Sequence, residues 1–277
     1  MSLSLTWLDA TTLPVDGSAL CPEGFRDRTA DEARQVRLRL GNTSVDLAEL
    51  FRVEGGRGDD RLAIDGDLRH VHGLGRGMTT GHLEVRGDAG PLLGAEMSGG
   101  HIEVEGAVGD WAGAELRGGT LRIRGRAGDF LGAAHPGSRA GMREGVILVE
   151  GNVGDDSGLL MRRGLIAIRG RCGDGLGRSM IAGTILALGP VGARTGAGMK
   201  RGTLVLPGLD RAPGEALLPS FAPAGRFPAP FLALYYRQLD AWGFAIPRAV
   251  SSALLDRYNG DLVVDGHGEV LAATPHE

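Results

Sequence analysis

The stretch Met97–Glu115, MSGGHIEVEGAVGDWAGAE, is one unit of an internal repeat that decides the fold of this 277-residue chain. A second unit, Met161–Ser179, reads MRRGLIAIRGRCGDGLGRS and keeps the same glycines, alternating apolar residues and Gly-Asp pair. Self-similarity at a fixed period indicates one small structural unit stacked many times. The units are 19 residues long, with one of 26, and begin at Met78, Met97, Leu116, Met142, Met161, Met180 and Met199.

The repeat region has an internal loop and a degenerate first copy. The seven additional residues of the long unit read HPGSRAG at 135–141, a composition typical of a loop. A weaker copy, LAIDGD at 62–67, precedes the full units and brings the number of strand copies to eight. Of the 48 glycines in the chain, 39 lie between Gly55 and Gly208, which marks the same region as the repetitive part.

Each unit carries five residues in which apolar and polar side chains alternate between two glycines. Alternation with period two and branched apolar residues predicts a half-buried strand. The unit is too short for a propeller blade of about 40 residues, and it shows no helical period. Its fixed glycines suit tight corners. The sequence therefore predicts an all-β fold, a parallel β-helix of about seven coils stacked ~4.8 Å apart. The two inward columns are Leu83, Ile102, Leu121, Ile147, Ile166, Ile185, Leu204 and Val85, Val104, Ile123, Val149, Ile168, Ala187, Leu206.

The repeat divides the chain into a cap over residues 1–55, the β-helix over 56–208 and a C-terminal extension over 209–277. A cap is expected because a stack of strands otherwise exposes its core and its unpaired edge. For the cap we expect strands at Leu3–Thr6 and Val36–Leu40 and a helix near Thr29–Arg34. For the extension we expect, in order, an extended linker over 212–230, helices at Phe231–Trp242 and Ser251–Tyr258, and a pair of short strands within 261–271.

The outward-facing positions change character along the stack. One column alternates in sign, so opposite charges should lie side by side on neighbouring coils and fix the register: Arg86, Glu105, Arg124, Glu150, Arg169. Two further columns turn from polar to apolar, from Glu84, Glu103, Arg122, His82, His101 and Thr120 to Leu148, Ala167, Leu186, Val205, Val146 and Leu165. The last coils therefore present an apolar face. Either the chain's own C-terminal segment or a different subunit must cover it.

Composition excludes several classes of protein. A formal net charge of -4 argues against a nucleic-acid binder, which is usually basic. The apolar runs are far shorter than the ~20 residues of a membrane span, and the N-terminus lacks the pattern of a signal peptide. Two cysteines, Cys21 and Cys172, form neither a disulfide framework nor a metal site. We therefore expect a cytoplasmic protein.

Familiar catalytic motifs are absent from the sequence, including HExxH, CxxC, GxSxG and the P-loop lysine. His82 and His101 occupy one column, but a metal site needs three or four converging ligands. The recurring aspartates Asp110, Asp129, Asp155 and Asp174 follow corner glycines, and we expect them to cap turns rather than to bind calcium. No catalytic residue and no metal ligand is predicted on this chain.

One column of cations is the candidate site. Basic residues stand at or directly after the second position of four units, and the column is interrupted at Ile181. Such an edge is either a solvated surface or a docking strip for a polyanionic tail or an acidic partner surface. The residues of this cationic strip are Arg117, Arg143, Arg162, Arg163, Lys200 and Arg201.

The repeat resembles the glycine-repeat domain at the C-terminus of glutamate synthase, and the flanks narrow the resemblance. The segment GNTSVDLAELFRVEG at 41–55 and YNGDL at 258–262 are similar to the C subunit of formylmethanofuran dehydrogenase. That resemblance covers most of the chain. It implies a right-handed parallel β-helix without an active site of its own, which holds together catalytic subunits that act on a formyl group carried by methanofuran or methylofuran.

The resemblance implies one of two complexes. In archaea the family is part of a dehydrogenase with a tungsten or molybdenum subunit. In methylotrophic bacteria it belongs to a formyltransferase/hydrolase complex, which moves formyl from a tetrahydropterin carrier such as tetrahydromethanopterin to methylofuran and releases formate. The implied partners are an amidohydrolase-like, a formate dehydrogenase-like and a formyltransferase subunit, with any metal in a partner. The basic residues are 29 arginines and one lysine, typical of a GC-rich genome, which favours the bacterial complex.

The resemblance also suggests a role for the rod and leaves one alternative class. A rigid rod could fix the spacing of two active sites between which a tethered carrier moves, and the cationic strip could guide an anionic tail. The alternative is a stand-alone polysaccharide-binding β-helix. Such proteins present aromatic platforms, and Trp111 is the only tryptophan of the repeats.

Overall fold

The structure is a computed structural model that describes residues 2–9, 11–210 and 212–273. The regular secondary structure is mainly strand with few helical residues, so the predicted β-rich fold is confirmed. The strands are β1 Leu3–Trp7, β2 Val15–Asp16, β3 Arg37–Leu40, β4 Thr43–Asp46, β5 Phe51–Glu54, β6 Arg61–Asp65, β7 Val71–His72, β8 His82–Arg86, β9 His101–Val104, β10 Arg117–Ile123, β11 Glu144–Val149, β12 Leu165–Ile168, β13 Thr184–Ala187, β14 Arg201–Leu206, β15 Ala222–Phe227, β16 Leu255–Gly260 and β17 His267–Ala272.

The helices are short apart from one in the C-terminal extension. They are α1 Pro22–Phe25, α2 Ala30–Arg34, α3 Leu47–Leu50, α4 Pro213–Ala216, α5 Leu232–Ala241 and α6 Arg248–Ser251, with a 3-10 turn at Leu262–Val264. None of the helices in the described part of the chain has the length and apolar character to cross a bilayer.

The repeat strands form the centre of one large sheet in chain order. The sheet runs β15-β16-β17-β14-β13-β12-β11-β10-β9-β8-β6-β1-β5, and every pair from β6 to β14 in this order is parallel. Leu121 pairs with Ile102 on one side and with Ile147 on the other. The strand register therefore equals the sequence repeat, including the step across the loop.

Both inward columns are buried as predicted. The exposed fraction of their side chains does not exceed 1%. A second line of parallel bridges runs through Leu68, Ala89, Val108, Ala127, Val153 and Cys172, so the units as far as the one that begins at Met161 pair at a second place as well. Burial raises the pKa of the Cys172 thiol to about 12, so this cysteine is an inert part of the core.

The recurring aspartates act between units rather than within their own turn. Oδ1 of Asp110 accepts a hydrogen bond from the backbone N–H of Asp129 at 2.9 Å, and Asp129 and Asp155 repeat the contact one unit later each. The glycine before each aspartate makes room for this side chain, since a Cβ at Gly128 would lie 2.1 Å from Oδ1 of Asp110. The Gly-Asp pair is thus a stacking device, and the expected local turn cap is corrected to a cap on the next unit.

The alternating charge column forms fewer ion pairs along its own line than predicted. Glu150 pairs with Arg169 on the next strand at 2.6 Å, as expected. Arg124 instead pairs with Glu103, and Arg86 pairs with Glu84. Glu103 is a diagonal neighbour on the adjacent strand and Glu84 lies two residues away on the same strand, and long arginine side chains reach both positions. The column therefore supports the register through a network rather than through a single line of pairs.

The N-terminal segment covers the first end of the sheet. β1 pairs in parallel with β6 and antiparallel with β5, and β2, β3, β4 and β7 form a small separate sheet. The predicted first strand and the helix at Ala30–Arg34 are confirmed; Thr29 and Glu32 form a capping box at the start of that helix. The strand expected from Val36 begins at Arg37.

The C-terminal segment departs from the sequence predictions in three places. The linker over 212–230 contains α4 and β15. The helix expected over Ser251–Tyr258 is wrong, because α6 ends at Ser251 and β16 begins at Leu255. The final strand pair is β16 with β17 rather than two strands within 261–271. Antiparallel pairing of β16 with β15 on one side and with β17 on the other selects a strand there, so tertiary contacts override the local helical pattern.

The chain's own C-terminal segment covers the apolar face of the last repeats. Leu148, Leu186 and Val205 pack in one cluster with Leu232 and Leu239 of α5, which also includes Phe244, Leu255 and Leu271. The predicted helix at Phe231–Trp242 is confirmed as α5. The sequence left open whether the C-terminal segment or a different subunit covers this face. The structure shows the C-terminal segment in that place.

Candidate functional site

The cationic strip is a surface line along one corner of the repeat. The backbone N–H of Arg117, Arg143 and Arg162 each donates to a carbonyl of the unit before, at 2.7, 2.7 and 2.8 Å. Ile181 occupies the next place, and Lys200 donates to Met180 at 2.8 Å beyond it. Arg163 and Arg201 follow Arg162 and Lys200 in the chain. Neighbouring strands lie ~4.8 Å apart, so the structure brings the predicted residues onto one edge.

The strip is divided electrostatically. Arg117 lies 3.8 Å from a carboxylate oxygen of Glu96, and Arg143 lies 3.5 Å from one of Glu115. In the described part of the chain, the remaining four cations form no ion pair: Arg162, Arg163, Lys200 and Arg201 are exposed and unpaired. The net positive charge is therefore concentrated at the second half of the strip.

Glu96 and Glu115 were missed by sequence reasoning. Each stands one residue before the start of a unit, in GAEM and GAEL, with a positive φ of 60° and 51°. Glu115 is 7% exposed, and its Oε1 accepts a hydrogen bond from the backbone N–H of His135 at 3.3 Å. The signal available in the sequence was the glutamate that recurs directly before the start of a unit. Its side chain lies near the cation of the unit after that one.

Two carboxylates close the ends of the stack. Oε1 of Glu23 accepts from the backbone N–H of Thr79 at 2.6 Å and of Thr80 at 2.7 Å, where the first unit has no earlier unit to supply a carbonyl. Burial acts to raise the pKa of Glu23, but these hydrogen bonds outweigh it and hold the pKa below its usual value. At the other end, Oδ2 of Asp261 accepts from Gly198 N–H at 3.0 Å.

A groove beside the strip was not predicted from the sequence. It encloses about 700 Å³ between α5 and the beginnings of β10, β11 and β12. Its floor and walls come from segments far apart in the chain, so no local pattern could reveal it. The lining residues are Gly118, Gly119, Glu144, Gly145, Val146, Gly164, Leu165, Leu234, Tyr235, Gln238 and Trp242.

Arg122 fixes the end of α5 against the repeat sheet. Its guanidinium donates to the carbonyls of Trp242 and Gly243 and pairs with Glu150 at 2.7 Å. A guanidinium at a helix C-terminus satisfies carbonyls that lack a partner within the helix. This residue, which the sequence placed in an outward column, therefore sets one wall of the groove.

The histidine pair forms a weak ring contact. The ring centroids of His82 and His101 are 6.4 Å apart with a 43° tilt. A search of the described residues finds no group of three or more potential metal ligands.

Comparison with known proteins gives partial sequence relatives and a near-complete structural relative. No protein-family model matches the chain. The C subunit of the tungsten-containing formylmethanofuran dehydrogenase 2 of Methanothermobacter thermautotrophicus is 36% identical over 95 residues, 33% of this chain and 35% of that protein. The C subunit of the molybdenum-containing formylmethanofuran dehydrogenase 1 from the same organism is 37% identical over 83 residues, 30% of this chain and 21% of that protein. The matched region thus spans about a third or less of these relatives.

The structural match extends over almost the whole chain. The similar chain belongs to the crystal structure of the formyltransferase/hydrolase complex FhcABCD from Methylorubrum extorquens in complex with methylofuran. The TM-score is 0.87 at 30% sequence identity, covering 98% of this chain and 99% of that one. The repeat, the flanking segments and this full-length agreement show that the chain belongs to the family of formylmethanofuran dehydrogenase C subunits.

Proposed function

We propose that this chain is a non-catalytic structural subunit of a bacterial formyltransferase/hydrolase complex. In that complex formyl passes from a tetrahydropterin carrier, such as tetrahydromethanopterin, to methylofuran, and formate is released. The observation that carries the proposal is the structural match over 98% of the chain to a subunit of such a complex. A cytoplasmic location belongs to the same proposal and is supported by the free thiols Cys21 and Cys172.

The proposed architecture is a right-handed parallel β-helix with three parts. Parallel pairing of each repeat strand with the next, and a second line of parallel bridges from Leu68 to Cys172, support the winding. The right hand is supported by the strong preference for right-handed connections between parallel strands. We place the cap at 1–55, the β-helix at 56–208 and the extension at 209–277.

The proposed partners are an amidohydrolase-like, a formate dehydrogenase-like and a formyltransferase subunit, with the carriers and any metal held by these partners. A rod of about seven coils measures roughly 35 Å. A rigid body of this length can hold two active sites at a fixed spacing, so a tethered carrier reaches both at high effective concentration.

The cationic strip is proposed as a docking edge for an anionic carrier tail or an acidic surface of a partner. The exposed charges of Arg162, Arg163, Lys200 and Arg201, which form no ion pair with any described residue, support this role, since an exposed line of one sign attracts a polyanion. Arg117 and Arg143 contribute less, because Arg143 lies 3.5 Å from Glu115 and Arg117 lies 3.8 Å from Glu96, a carboxylate that it shares with Arg76.

The second candidate is a C subunit of a tungsten- or molybdenum-containing formylmethanofuran dehydrogenase. The identities of 36% and 37% to such subunits favour it, although over about a third of the chain.

Purification of the native complex through a tag on this chain separates the two candidates. Mass spectrometry should identify formyltransferase and amidohydrolase-like chains, and metal analysis should find neither tungsten nor molybdenum. Tungsten or molybdenum together with iron-sulfur subunits would establish the dehydrogenase instead. A chain that purifies alone would contradict both.

A further inference from the structure

We propose that the groove between α5 and the beginnings of β10–β12 is the docking site for an extended segment of another subunit. That segment carries apolar side chains flanked by carboxylates. The inference rests on the proposed function, since it requires that the chain works within a complex. It is carried by three observations: exposed apolar side chains on the outer surface of α5, an open groove of matching size, and cations along its margin, of which Arg162 and Arg163 form no ion pair among the described residues.

The helix α5 buries one apolar face and also carries apolar side chains on its outer surface, among the polar residues Arg237, Gln238 and Asp240. Leu232, Tyr236 and Leu239 are buried against the repeat sheet, and burial raises the pKa of Tyr236 to about 12. On the opposite side Phe231 and Leu234 are 40% and 62% exposed, with Tyr235 beside them. Clustered exposed apolar side chains beside a groove are typical of an interaction surface. Within the described residues, no segment of this chain covers Leu234.

The groove has the dimensions of a short extended peptide. Its wall runs along α5 from Leu234 to Trp242, which is about 12 Å at 1.5 Å per residue. An extended chain covers that length with about four residues. The floor is largely glycine at Gly118, Gly119 and Gly145, so the main chain of the occupant can approach the sheet closely.

The margin of the groove favours acidic flanks on the occupant. Three lining residues, Gly118, Glu144 and Gly164, are directly preceded by a cation, and these cations are Arg117, Arg143 and Arg163. Glu144 is the one carboxylate among the lining residues. Arg163 and its neighbour Arg162 form no ion pair within the described part of the chain. Complementary charge steers association and selects the partner, and here it selects carboxylates.

Paired leucine variants in the reconstituted complex test the proposal. Leu234→Asp places a negative charge within the groove wall, whereas Leu254→Asp changes a similarly exposed leucine, 59% against 62%, outside it. We expect the affinity of the chain for the remaining subunits to fall at least tenfold for Leu234→Asp and less than twofold for Leu254→Asp. Equal effects of the two variants, or unchanged assembly with Leu234→Asp, would overturn the proposal.

Crosslinking identifies the occupant. With p-benzoylphenylalanine in place of Leu234, irradiation of the purified complex should yield a crosslink to a segment of another subunit that has apolar residues beside Asp or Glu. A crosslink to a second copy of this chain, to a basic segment, or to no other chain overturns the proposal. Failure of the unmodified chain to assemble at all would instead contradict the proposed function, which keeps the two outcomes apart.

Discussion

Single residues set the spacing of the repeat. The side chain of each aspartate in the Gly-Asp pairs lies against the glycine of the same pair in the next unit, where it occupies the space that a Cβ would need. It also accepts a hydrogen bond from a backbone N–H there. This interlock explains why two residue types recur together. It also means that the smallest possible addition, one methyl group, is strongly destabilising at the glycine.

Gly128→Ala should lower the free energy of unfolding by about 2 kcal/mol, because the new Cβ meets Oδ1 of Asp110 and overpacking costs energy of this order. Gly214→Ala is the matched control, since nothing lies within 4 Å of its Cβ. Urea unfolding of both variants measures the difference. Adding Asp110→Ala to the Gly128→Ala chain should recover part of the loss, and equal stability of the two glycine variants would refute the interlock.

Glu23→Gln should lower stability by about 1 kcal/mol at neutral pH, since it removes a charged acceptor of three hydrogen bonds from Thr79 and Thr80. The pKa of Glu23 is held below its ordinary 4.5 in the folded chain. The contribution is therefore complete above that value and disappears as the pH falls through the lowered pKa. Thermal unfolding against pH should show the difference from wild type shrinking in acid. Glu105→Gln serves as control, and a difference that persists unchanged in acid would contradict the assignment.

At the scale of the element, α5 is where one segment performs two tasks. Its inner face closes the apolar side of the last repeat strands, and its outer face forms a wall of the groove. Arg122 anchors its end to the sheet. The stability of the chain and its capacity to bind should therefore depend on different residues of the same helix.

Leu239→Ala should destabilise the isolated chain by about 2–5 kcal/mol, since it empties a fully buried position of the core. Leu234→Ala, on the exposed outer face, should change stability by no more than about 0.5 kcal/mol. Denaturant midpoints of the two variants provide the comparison. If Leu234→Ala proves as damaging as Leu239→Ala, the outer face is part of the folding core and the division fails.

The repeat elements could be predicted because each strand is specified by its own residues. Period-two alternation, fixed glycines and a constant step place Ile102, Leu121 and Ile147 in register without any long-range knowledge. The extension offered no such redundancy. Ser251–Tyr258 has a helical pattern but forms a strand start at Leu255 because β17 and β15 flank it. The groove was hidden for the same reason, since it exists only where α5 meets β10–β12.

At the scale of the whole molecule, the strip and the groove lie next to each other, because Arg117, Arg143 and Arg163 directly precede residues that line the groove. The strip was predicted from the unit spacing, but the carboxylates Glu96 and Glu115 near its first half were not. We propose that this surface is where the chain meets anionic groups.

Replacing Arg162, Arg163, Lys200 and Arg201 with Ser should reduce the affinity of the strip for its anionic partner about tenfold at low salt. The loss of affinity should be smaller at high salt, because ions screen exposed charges. The double variant Arg117→Ser/Arg143→Ser should have a smaller effect. Carrier content and assembly of the purified complex are the two readouts. Loss of carrier alone indicates a tail, and loss of assembly indicates an acidic partner surface. Unchanged carrier content, turnover and assembly would remove the strip from the account.

The measurement that tests the central claim most directly is native mass spectrometry, with formyl-transfer assays, of the catalytic subunits assembled with and without this chain. With the chain present, the account predicts one complete complex that transfers formyl to methylofuran. Without it, we expect smaller subassemblies and coupled turnover reduced at least tenfold, while the separate catalytic subunits keep their partial reactions. A complete complex with undiminished coupled turnover in the absence of this chain would contradict the scaffold account.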